Sequence, residues 1–489
     1  MTRDSSDVAA AAGSERLPTL DGERLFSRYS SFLYTLTTLA AAIWIILVGG
    51  AIPAVGDTRL GIIGYGCGTI VGVVAVVLSV ALPAFRYGID SIDISKAALG
   101  IRGSGLVLMG LLVSALGWAG VALAMVARGV GFLVARAGHP GGVINEQLVV
   151  VVGLVLIGLL FLLVQHGLDV IRRLNEFAGP GFVILAIVSL LLLLWKYGPR
   201  ELLLANVPAE QALTTDRLKS FAYALEFGVT LAMAWWPYMG GLYRFLKFRR
   251  HAVGPIMFGG SLIGNAFSAS VAALAAVHLG SPDPAVWLIE LAGPVAGTVM
   301  VGLVLLLSVP AICLLVFFVA SAAQQIRPLA RTSWNWLVAL ALVPLLVVAL
   351  NTSWTLSHVV TVATAGSLIF FSVCGIVMVD YWILRGGSIE LHQLFVAGPR
   401  GHYWYWGGVN WVAAVVIATG VMSYLLLYNP ITLEARTAFR YVGAALPVIA
   451  GSGLMYYMLM RLIAVPLRRG GFGARGPTES EATTAEVTL

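Results

Sequence analysis

The run Ala234-Trp235-Trp236-Pro237-Tyr238-Met239-Gly240-Gly241-Leu242-Tyr243-Arg244-Phe245 lies inside an apolar segment that otherwise reads as a membrane-spanning helix. Proline removes a main-chain donor and crowds the preceding turn, and paired glycines favour non-helical angles. Main-chain groups freed at membrane depth must be satisfied by protein, water or a ligand, because lipid offers no partner. The stretch predicts either the interrupted helix of a secondary-transporter site or a proline-kinked helix whose tryptophans only pack. Taken alone, it leaves both open.

Working outward, composition sets the class. Of 489 residues, 59% are hydrophobic and 11% charged, with a mean hydropathy of +0.92; a soluble domain carries about a quarter charged residues. Apolar runs long enough to cross a bilayer, uncharged except for Glu226, recur 12 times, near 32–56, 60–85, 103–127, 148–165, 178–195, 220–243, 252–278, 291–326, 333–350, 355–379, 404–428 and 441–460. The run from Thr332 to Val379 is too long for one helix, and Asn351-Thr352-Ser353 supplies the turn that divides it. The chain reads as an all-α polytopic membrane protein with 12 transmembrane helices.

A net charge of +7 would suit a nucleic-acid partner, but the basic residues follow topology instead. With the amino terminus inside, alternate loops place 21 of the 30 Lys and Arg on the inner side and the other 9 outside. That bias orients membrane proteins, so both termini are expected in the cytoplasm and no nucleic acid is expected. Arg outnumbers Lys 26 to 4, which fits a GC-rich bacterial genome and hence a bacterial inner (plasma) membrane. The tails 1–28 and 470–489 are polar and are expected to be disordered and cytoplasmic. Cys67, Cys313 and Cys374 fall inside spans as small apolar side chains and make neither a disulfide framework nor a zinc pattern. No cofactor or metal centre is expected.

The first span runs from Phe32 into Gly49-Gly50-Ala51-Ile52-Pro53, an interruption at a depth comparable to the one in span six. Spans one and six cross in opposite directions. Matched interruptions in antiparallel halves point to an inverted repeat with a central site, although glycine and proline are also common in membrane helices for packing alone.

The loop Phe85-Arg86-Tyr87-Gly88-Ile89-Asp90-Ser91-Ile92-Asp93-Ile94-Ser95-Lys96 leads into Gly100-Ile101-Arg102-Gly103-Ser104. Gly117-Trp118 follows in span three, then the Ala234–Phe245 run, and then Gly375-Ile376-Val377-Met378-Val379-Asp380-Tyr381-Trp382-Ile383-Leu384-Arg385 with the Tyr403 to Asn410 stretch. In this order they resemble the nucleobase:cation symporter-1 family, nearest its purine–cytosine permease and hydroxymethylpyrimidine permease branch. The likeness covers about residues 30 to 430. It implies a LeuT-like core of 5+5 inverted repeats, over 29–195 (spans one to five) and 196–385 (spans six to ten), plus two extra helices over 386–469. It also implies import of a planar nucleobase or related heterocycle (cytosine, purine, hydroxymethylpyrimidine or allantoin type), coupled to Na+ or H+ by alternating access.

Tryptophan in membranes normally belongs to the interfacial belts, but Trp118 and Trp235 lie deeper. Two indoles from different helices can clamp a flat ring, a role the resemblance also implies for spans three and six. Trp236 is the alternative to Trp235, and simple packing is the alternative for all of them. Glu226 is the one charged residue in the interior of span six, nine residues before Trp235, roughly 13 Å along a continuous helix. It is read as an acceptor for ring N–H groups, a proton carrier, or a carboxylate hydrated at the outer boundary.

The sequence also departs from the family pattern. Gly241 stands where the family has Asp, and Ala122 where some members have a substrate-binding Gln. Of the polar positions expected in span eight, Leu307-Ser308-Val309-Pro310-Ala311-Ile312-Cys313-Leu314 keeps only Ser308. The resemblance places Ala122 and Leu314 in the substrate site as apolar positions and Ser308 in the ion site, where sodium needs further oxygens. Other readings are an amino-acid or polyamine carrier on the same fold, or a non-transporting membrane sensor derived from a transporter. An intramembrane enzyme is disfavoured, since the spans carry no metal-ligand or nucleophile spacing. The oligomeric state is left open.

Overall fold

The computed structural model describes residues 18–138 and 142–472. The expected disordered tails fall largely outside the described residues, but their inner ends are ordered. Residues 21–23 form a short turn, Phe26 is fully buried, and it makes an isolated parallel bridge to Leu246. At the other end the Gly470 carbonyl accepts from Arg385 Nη1 at 2.9 Å. The ordered body therefore begins before residue 29 and ends after residue 469, because these apolar and carbonyl groups find partners elsewhere in the fold.

Among the described residues, eight helices are long and apolar enough to cross a membrane: Thr58–Tyr87, Gly105–Ala137, Glu146–Val164, Leu168–Leu204, Arg249–Leu279, Pro294–Ala323, Val359–Leu384 and Ala445–Ala464. These are spans two to five, seven, eight, ten and twelve. Span one is a bent pair, Tyr29–Ala41 and Ile43–Val55, at 49°. Trp334–Leu350 and Trp411–Leu427 are shorter apolar helices in the places of spans nine and eleven. Arg217–Ala234 followed by Trp236–Tyr243 makes span six, which is consistent with twelve crossings. Helix starts follow local chemistry. Asp57, Asn145, Asp216 and Asn410 each accept a main-chain N–H at the first turn of spans two, four, six and eleven, satisfying donors that a helix leaves open.

Close packing through small residues ties the spans together, as membrane bundles require. Gly64 and Gly68 of span two lie against Phe221 and Leu225 of span six, while Gly264 of span seven lies against Ala40 of span one. Gly366 of span ten meets Ser114 of span three, and Gly181 of span five meets Leu307 of span eight. The pairs two–six and seven–one exchange under a repeat of five spans, and so do three–ten and eight–five. This is the packing of two inverted five-span repeats.

The interruption in span one is not at Gly49-Gly50-Ala51-Ile52-Pro53. It sits at Ala42 (φ −58°, ψ 166°), where extended backbone separates the two half-helices. Gly49 and Gly50 remain helical, and a Cβ at either would strike the main chain of Ala269 or Pro282; they are contact glycines. Asn351 (φ −138°, ψ 47°) ends Trp334–Leu350 and so divides the long apolar run as expected. Cys313 and Cys374 are buried, whereas Cys67 faces outward from the bundle.

Candidate functional site

Span three carries the centre of the site. Ser114 and Trp118 are four residues apart and share one helix face. Ser114 Oγ donates to the Ala234 carbonyl at 3.0 Å, which sets that face against the break of span six. Trp118 is 4% exposed, and its ring lies 6.3 Å from that of Trp44, inclined at 59°. Trp44 is two residues past the break of span one, so Trp118 stands beside that break, one turn from the serine that meets the helix junction of span six. Its indole Nε1 is buried without a hydrogen-bond partner. A buried donor left unmade costs about 1–3 kcal/mol, so an acceptor-bearing ligand here would gain by meeting it. Ala122, one turn further along the same face, is fully buried and adds no polar group.

Trp235 is 5% exposed and packs on span seven, where a Cβ at Gly260 would lie 3.3 Å from its Cζ3. It closes the last turn of Arg217–Ala234 at φ −81°, ψ −20°, which is helical geometry. The expectation that Pro237 and the glycine pair unwind this helix is therefore corrected. Pro237 falls in the first turn of Trp236–Tyr243, where a missing N–H matters least. Gly240 is helical, and a Cβ there would strike the main chain of Ser91, whose Oγ accepts the Gly240 N–H at 2.9 Å.

Two expected site residues are committed elsewhere. Trp236 is fully buried, donates from Nε1 to Ser79 Oγ at 2.8 Å, and stacks on Phe370 at 5.4 Å. Its ring is a packing element between spans two, six and ten. Glu226 is 1% exposed, and its Oε2 accepts the N–H of Ala444 at 2.7 Å and of Ala445 at 3.0 Å. The carboxylate caps the start of span twelve, where the helix end favours negative charge. Neither a ring acceptor nor a boundary group exposed to water describes it, because its lone pairs already hold main-chain donors.

In span eight Ser308 is fully buried. Its Oγ donates to the Val304 carbonyl at 2.8 Å and accepts the Ile43 N–H at 3.2 Å, bridging to the break of span one. Leu314, two turns on, is fully buried and apolar. Trp44 was missed from sequence, although its depth within a span is the signal that singled out Trp118. The role of Ser114 and the Ile43 N–H carried no such signal. Other intramembrane polar groups are partnered within the protein: Asn265 bonds to Tyr65 of span two, Asn410 Nδ2 donates to the Ala98 carbonyl at 2.7 Å, and Asp380 pairs with Arg385 Nε at 2.6 Å.

Comparison with known proteins agrees with this architecture. Residues 60–441 match the family described as permeases for cytosine/purines, uracil, thiamine and allantoin. A hydantoin permease of Microbacterium maritypicum is 33% identical over 93 residues, which is 16% of this chain and 17% of the relative. The transporter aclS of Aspergillus oryzae is 33% identical over 72 residues, 15% of this chain and 11% of the relative. These curated relatives are thus matched over less than a fifth of their length. The structure of inward-facing Mhp1 is similar at a TM-score of 0.71 and 19% identity, covering 91% of this chain and 93% of that one. Mhp1, a nucleobase-cation-symport-1 family transporter, closed with bromovinylhydantoin bound, gives 0.70 and 18%, covering 91% and 95%. A Na+-coupled sialic acid symporter, at 0.60, 12% identity and coverage of 94% and 96%, shares the same fold. The protein is a multi-pass membrane protein, and the chain belongs to the nucleobase:cation symporter-1 family, a family of permeases and not of enzymes, on the LeuT-like fold.

Proposed function

We propose that this protein is a secondary active transporter that imports a planar nucleobase or related heterocycle across a bacterial inner membrane by alternating access. Both termini lie in the cytoplasm on this reading, and the site between the break of span one and the helix junction at Trp235 of span six is exposed to each side in turn. The observation that carries it is Trp118, a buried indole beside the break of span one with an orphan N–H. Trp118 supplies a face for ring stacking and a donor for a ring carbonyl or nitrogen. Trp44 packs against it, and Ala122, one turn on along the same helix, adds no polar group. Such a site favours a ring with few polar edges, in keeping with the hydantoin permease and the hydantoin-bound Mhp1 among the relatives. A primary-amine substrate would need a free carboxylate, and Glu226 is already held by Ala444 and Ala445. The cation coupling expected from the family, by sodium or proton, belongs to the same proposal.

The test is uptake into proteoliposomes of labelled cytosine, uracil, adenine, hypoxanthine, allantoin, hydroxymethylpyrimidine and a hydantoin. Accumulation of one ring is expected, with Trp118→Ala lowering its affinity at least tenfold while leaving the amount of folded protein unchanged. A tenfold loss corresponds to about 1.4 kcal/mol. Unchanged affinity in Trp118→Ala removes the stacking role. Binding without flux in the wild-type protein would favour a sensor.

A further inference from the structure

Resting on the transporter reading, we propose that this chain moves its ring without sodium, because the Ser308 hydroxyl bridges the break of span one where a cation would otherwise have to bind. A broken membrane helix can hold a cation through the carbonyl oxygens of its unwound backbone. Here the break is a single residue. The Ala42 carbonyl accepts the Ile45 N–H at 2.8 Å, and the Ile43 N–H goes to Ser308 Oγ at 3.2 Å. Ser308 sends its proton to the Val304 carbonyl at 2.8 Å. The one side-chain oxygen that span eight offers to the break is therefore held by the positive end of the half-helix Ile43–Val55, which opposes a cation at the same oxygen. A hard cation needs several oxygens, and the following residues of span eight, Val309 to Leu314, supply no hydroxyl or amide.

No carboxylate makes up the deficit. Among the described residues four acids are buried, and each has protein partners. Asp90 binds Gln325 Nε2 at 2.7 Å, Asp93 pairs with Lys96, Glu226 caps span twelve, and Asp380 binds Arg385 Nε at 2.6 Å and Tyr456 Oη at 3.0 Å. The side chains of span eight beside the break and the buried acids do not supply the oxygens that sodium needs.

The test does not need the substrate to be known. Purified full-length protein is melted in sodium chloride and in choline chloride at equal ionic strength. A ligand that binds the folded state alone raises the melting temperature with its concentration. The expected result is the same Tm in both salts, with Ser308→Ala lowering it equally in each. A saturable rise in sodium that Ser308→Ala abolishes would overturn the proposal. In vesicles, whichever ring is accumulated should enter within about twofold of the same rate when choline replaces sodium, and a tenfold drop would also overturn it. If no ring enters in any buffer, the transporter reading fails while the melting comparison still decides the sodium question.

Discussion

The two helix breaks differ in the opposite sense from their sequences. Span six carries Trp-Pro and Gly-Gly, yet Trp235 stays at helical angles. Span one breaks at Ala42 within Ala40-Ala41-Ala42-Ile43, with no proline or glycine, and bends by 49°. Proline breaks a helix only where its ring and missing N–H fall in the interior; Pro237 falls in a first turn. Glycine permits unwinding but also permits contact, and Gly240 is spent on contact with Ser91. At Ala42 the cause comes from outside the helix. Ser308 takes the Ile43 N–H, so this N–H makes no bond to the preceding turn.

Substitutions can break this contrast, beginning with the largest effect. Gly240→Ala should cost about 3 kcal/mol, since overpacking against main chain leaves nothing to yield; thermal melting and the yield of folded protein check it. A tolerated alanine would mean that span six and the Ser91–Leu99 helix are looser than their contact shows. Ser308→Ala leaves the Ile43 N–H buried without an acceptor and should cost about 1–3 kcal/mol, read as a lower Tm. Unaltered melting would show that the break holds itself open.

Glu226→Gln keeps one acceptor but loses charge and should cost about 1–2 kcal/mol. Its uptake should keep the wild-type dependence on any proton gradient, and loss of that dependence would favour the proton-carrier role. Pro237→Ala should change stability by less than about 1 kcal/mol, with transport retained in the same uptake assay. Loss of transport there would show that the mild break of span six does the work the sequence suggests.

Sequence alone determined the membrane class, the order of the apolar segments and the family, and it singled out Trp118 as a candidate. These rest on hydrophobicity, charge bias and residue type, which hold wherever the chain goes. It also held the means to find Trp44, which lies as deep in its span as Trp118. The position of the break in span one, the partners of Trp236 and Glu226, and the bridge from Ser308 to Ile43 were decided only by tertiary structure. Each depends on which donor meets which acceptor across spans tens to hundreds of residues apart. Local propensity is a weak guide there, because one buried hydrogen bond from a neighbouring helix is worth as much as the preference of the residue it moves.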